Sequence, residues 1–106
     1  MKRKKPWGCT FYGPHKIHIF KSFVNHGYDG ITFNRKYGYA IELSADIFQT
    51  PTVFDEVLLH ELCHVIEMFH GLDFTPHMEP GGTQCSDAVR LLGSGLAQML
   101  RELRAY

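Results

Sequence analysis

The chain has no excess charge of either sign: 11 Lys plus Arg balance 11 Asp plus Glu over 106 residues, with seven histidines counted as neutral. No field of the whole molecule therefore recruits nucleic acid or an anionic membrane, and nucleic acid is not an expected partner. The one basic cluster, Lys2 to Lys5, reads as part of a solvated, flexible tail over residues 1–8. No apolar run approaches the ~20 residues of a membrane span, and the basic start leads into Pro6-Trp7-Gly8 rather than a signal-peptide core. A cytoplasmic protein without a membrane partner is expected. Cysteine is scarce too: Cys9, Cys63 and Cys85 cannot all pair within one chain and show no Cys-x-x-Cys spacing. Neither a disulfide framework nor a zinc finger is indicated. Repeats and low-complexity segments are absent, and the length suits one domain, residues 1–106.

What is present reads as an α+β domain. Gly13-Pro14 marks a turn, and His15 to Val24 alternates β-branched and aromatic residues as a strand does. Turn formers from Asn25 to Gly30 lead to a second strand, Gly30 to Asn34, and a hairpin connection at Arg35 to Gly38 to a third, Tyr39 to Ser44. A small antiparallel or mixed sheet of about three strands results. Thr50-Pro51-Thr52 then opens a helix, with a Thr available as N-cap, Pro suited to the first turn and Asp55-Glu56 near the positive end of the dipole. Phe54, Leu58, Leu62, Val65, Ile66 and Phe69 recur at helical spacing, and Gly71 ends the helix. Leu72 to Gln84, with Pro76, Pro80 and Gly81-Gly82, is a long loop. A second helix runs from about Ser86 to Arg104, with Leu92, Leu96 and Met99 on its stripe.

The chemistry lies inside the first helix, in His60-Glu61-Leu62-Cys63-His64. Residues four apart project from one helical face, so His60 and His64 can share a metal ion while Glu61 stands on the neighbouring edge. Val57, Leu58, Leu59, Val65 and Ile66 surround them, and polar groups in so apolar a helix need partners. Backbone carbonyls could serve; a shared Zn2+ satisfies both rings and gives Glu61 a role as general base. His-Glu-x-x-His on a helix is a metalloprotease signature. Cys63 points away from that metal and reads as a core residue.

A catalytic zinc needs a third protein ligand. His70 matches a metzincin-like spacing, but Glu67 replaces the glycine that turns the chain back. An unbroken helix carries His70 about 9 Å along the axis from His64. His77 and Glu79 lie in the long loop, and Asp87 opens the second helix, where dipole complementarity alone also favours an acid.

The order of strands, motif helix, acidic residue and closing helix resembles the small zincin-like metallopeptidases of phages and prophages, distant relatives of the ImmA/IrrE peptidases. Val57-Leu-Leu-His-Glu-Leu-Cys-His-Val-Ile66 looks like their motif helix, and Ala88 to Arg101 like their closing helix, the likeness covering most of residues 15–104. It implies a minimal zincin-like fold and Asp87 as third metal ligand beside His60 and His64, though relatives usually carry Glu there. It also implies hydrolysis of a peptide bond in a protein or peptide substrate, with Glu61 as base, and host cytoplasm if the chain is phage-encoded. The substrate is expected along the sheet edge, at Tyr39 to Ser44, with Tyr37, Tyr39 or His70 facing the oxyanion. A different class competes: a phage-type regulatory module that docks on a host protein or DNA and keeps its metal for structure. Glu61 favours the enzyme, because a structural zinc site has no use for a base.

Overall fold

A computed structural model describes residues 5–24, 27–36, 38–71 and 87–104. The chain forms β1 (Gly8–Tyr12), β2 (His15–Ser22), β3 (Gly30–Arg35) and β4 (Gly38–Ser44), a 3-10 turn at Ala45–Gln49, then α1 (Pro51–His70) and α2 (Asp87–Arg104). The α+β class is as expected, but the strands number four and their order is β1-β2-β4-β3. Antiparallel pairing joins β1 to β2 and β3 to β4, while β2 and β4 run parallel.

The additional strand begins inside the expected tail. Trp7 donates its backbone N–H to the Ile19 carbonyl at 2.7 Å, and its ring packs edge-on against Phe48 and Phe54. That aromatic anchor draws residues 7 and 8 onto the sheet, so any tail is shorter than residues 1–8. The parallel seam also moves β4. Expected at the edge, Tyr39 to Ser44 is an interior strand, hydrogen-bonded on both sides by β2 and β3. Its Tyr39, Ala40, Ile41 and Leu43 are all buried, the near-continuous apolar run of a strand with neighbours on every side. The sheet edges are β1 and β3.

Both helices lie on one face of the sheet. Inward residues Ile17, Ile19, Ile41 and Leu43 meet Leu58, Leu62, Val65 and Ile66 of α1 and Leu96 and Leu100 of α2. Full burial of each such side chain contributes about 1.5–3 kcal/mol. The Thr10 hydroxyl of β1 reaches the Leu96 carbonyl of α2 at 3.5 Å. The helices approach closely at Gly93, where a Cβ would stand 2.9 Å from Leu59 and 3.5 Å from the Cys63 sulfur. Cys63 is wholly buried there, the core residue its place in the motif foretold.

The bounds of α1 follow its punctuation. Thr50 is the N-cap with Pro51 in the first turn, although the Thr50 hydroxyl makes no capping bond and Asp55-Glu56 fall beyond that turn. Gly71 closes the helix in the left-handed conformation, φ 64°, donating its N–H to the Glu67 and Met68 carbonyls. Among the described residues no helix is long and apolar enough to cross a membrane.

Candidate metal centre

His60 and His64 converge on one point. Their Nε2 atoms lie 3.0 Å apart with the rings nearly perpendicular, 82° between planes. Two nitrogens bound tetrahedrally to zinc at about 2.0–2.1 Å are about 3.3 Å apart, so the pair fits a shared ion with an opening of a few tenths of an ångström. At about 100° per residue, the His60–His64 stripe falls on the side of α1 opposite Leu62. It lies between the Leu59/Cys63 flank that meets α2 and the Glu61 flank that meets β3. Behind His64, the Glu67 carboxylate stands 3.9 Å from Nδ1, longer than a hydrogen bond. A carboxylate on that side favours the tautomer that leaves Nε2 for a metal.

Glu61 is buried, at 5% exposure. The Thr32 hydroxyl of β3 donates to its Oε1 at 2.7 Å and lies 3.2 Å from the Glu61 backbone carbonyl. An edge strand thus holds the carboxylate of the motif. Close by, Gly30 leaves the room this requires: a Cβ there would stand 3.0 Å from Leu43 and Val57 and 3.1 Å from the Glu61 Cγ.

Among the described residues no group of three His, Cys, Asp or Glu is placed to hold a metal. Asp87 is the first residue of α2, but its side chain, like all of His77 and Glu79, lies outside the described residues. His70 is described and does not join the pair. The helix runs unbroken through it, and its Nε2 meets the Tyr12 hydroxyl at 2.6 Å.

Of the residues expected to face an oxyanion, Tyr37 lies outside the described residues. Tyr39 is buried against His15, and burial pushes its phenol above the ordinary range. His70 belongs to a ring cluster with Tyr12 and Phe69 at the far end of α1. Sequence reasoning missed Thr32 and Glu67. A threonine in a strand carries no signal of its own, whereas Glu67 stands three residues after His64, a spacing at which helical side chains meet.

No family model, curated relative or solved structure matches the chain.

Proposed function

We propose that the chain is a zinc-dependent metallopeptidase with its centre at His60 and His64. The observation that carries this reading is the approach of the two Nε2 atoms to 3.0 Å, on a helix where Glu61 follows His60 directly in the chain. His60 and His64 hold the ion, and Asp87, at the head of α2, is the third ligand. At such a site zinc supplies Lewis-acid polarisation of a carbonyl and acidification of water. Glu61 takes the proton of the attacking water and delivers it to the leaving amine. Thr32 orients the Glu61 carboxylate through Oε1, and β3, as the edge strand beside it, offers main-chain hydrogen bonds to an extended peptide.

The burial of Glu61 favours a second reading, a regulatory module in which Glu61 ties α1 to β3 and the metal serves structure. The two separate on zinc content and on cleavage of labelled casein, measured for the wild type and the Glu61→Gln, His64→Ala and Asp87→Ala variants. The peptidase reading expects one zinc per chain in wild type and Glu61→Gln, none in His64→Ala or Asp87→Ala, and cleavage by the wild type alone. Zinc retained by Asp87→Ala transfers the third position to His77 or Glu79. Zinc-loaded wild type whose cleavage equals that of Glu61→Gln supports the module. Wild type that takes up no zinc when it is supplied refutes both.

A further inference from the structure

We infer that the sheet face turned away from the helices binds single-stranded nucleic acid. Side chains alternate along a strand, so the register that sends Ile17, Ile19 and Ile41 into the core sends their neighbours outward. Outward residues on β2 include Lys16, His18 and Phe20, and on β3 Ile31, Phe33 and Arg35. The strand between these two rows, β4, places Gly38, Ala40 and Glu42 opposite them, and the small Gly38 and Ala40 leave a trough of about 410 Å³ beside Lys16, His18 and Arg35. That volume is within the range of small-ligand sites. No described element covers this face, because both helices pack on the other one, against Thr10 and Thr32.

The chemistry of the trough names its occupant. Lys16, Arg35 and Lys36 are exposed cations along it, and Glu42 is the only carboxylate that the four strands send to this face. The cations alternate with rings: Lys16 Nζ stands 5.9 Å from the centroid of Phe11, the Arg35 guanidinium 5.0 Å from that of Phe33, and His18 stacks on Phe20 at 6.1 Å. Phe11 is 42% exposed. Rings flanked by cations match a polymer of flat bases joined by phosphates: bases stack on the aromatic faces while Lys and Arg follow the backbone. Nucleic-acid-binding sheets of four strands stack bases in this way. A chain of zero net charge can still carry such a surface locally, here with Lys16, Arg35 and Lys36 along one trough. The site is on the opposite side of the sheet from Thr32 and Glu61, and its occupancy does not depend on metal.

The test is fluorescence anisotropy with labelled oligo-dT and oligo-rU of about 12 nucleotides, and a duplex of equal length. Both single strands should bind and the duplex should not; a tenfold preference for oligo-rU would assign the ligand as RNA. Three phosphate contacts give a salt slope of about −2, so a fourfold rise in salt should weaken binding about 20-fold. Arg35→Glu and Phe33→Ala should each weaken it about tenfold, with Phe33→Tyr restoring affinity. Arg90→Glu, on α2, should leave it unchanged. Thermal melts accompany every variant, so that lost affinity is read only from folded protein. Binding that survives Lys16→Glu/Arg35→Glu but disappears when Lys2, Arg3, Lys4 and Lys5 are neutralised would overturn the proposal in favour of the N-terminal cluster. It would be overturned equally if no oligonucleotide bound and the same face substitutions instead dissolved a self-association of the chain.

Discussion

Thr32→Val removes one hydroxyl and nothing else of size, from a strand position that a β-branched residue suits equally well. Its target is the 2.7 Å bond to Oε1 of Glu61, a carboxylate only 5% exposed. A hydrogen bond to a charged group contributes about 1.5–3 kcal/mol, and truncating one partner leaves the other to bear its desolvation. For a domain of this size that corresponds to a fall in Tm of roughly 6–20 °C. Trp7 is the chain's single tryptophan and packs against both Phe48 and Phe54, so its fluorescence reports unfolding in urea directly. Glu61→Gln keeps an amide oxygen able to accept from Thr32 but without the charge. In that background Thr32→Val should cost about 0.5–1.5 kcal/mol, the range of a neutral bond, and the difference between backgrounds is the coupling. A Thr32→Val protein within about 0.5 kcal/mol of the parent in both backgrounds would refute the reasoning, as that is the scatter of an indifferent surface substitution.

Gly30→Ala should destabilise by about 1–3 kcal/mol in the same assay, because its Cβ would stand 3.0 Å from Leu43 and Val57 and 3.1 Å from Glu61, and all three side chains would have to give way. Arg101→Ala breaks a 2.8 Å ion pair with Asp55 that is half exposed at both ends, and calorimetry should find a loss under about 1 kcal/mol. Burial, helped by the charge of Lys16, holds the His18 imidazole below its ordinary value of 6.5. Its contribution is therefore complete above pH 6.5 and is lost as pH falls towards the lower folded value, because the unfolded chain binds the proton first. His18→Gln should narrow the difference between urea midpoints measured on the two sides of pH 6.5.

The helices were legible because their signals are local. Pro51, the apolar spacing from Phe54 to Phe69 and Gly71 delimit α1 without reference to anything distant. The β3–β4 hairpin was legible for the same reason. The sheet order was not, since pairing of β2 with β4 joins Lys16 to Gly38 across an intervening strand, and no periodicity encodes which strand docks beside which. One clue was present: Tyr39, Ala40, Ile41 and Leu43 are too continuously apolar for an exposed edge. For the candidate site, spacing alone brought His60 and His64 together, and helical geometry did the rest. Thr32 comes from another element 29 residues away, and such a partner is visible only after folding. The charge balance concealed the basic face in the same way, because a sum over residues carries no information about sides of a sheet.

The sheet is also two hairpins laid side by side, β1–β2 and β3–β4, sewn together by one parallel seam. Each hairpin closes over a short turn and can form within microseconds, whereas the seam must bring together residues 22 positions apart, as at Lys16 and Gly38. Loop closure puts that pairing late in folding and makes it the slow step of sheet assembly. The trough between β2 and β3 has its floor on this seam. Its two walls belong to different hairpins and acquire their spacing only when the last strands dock.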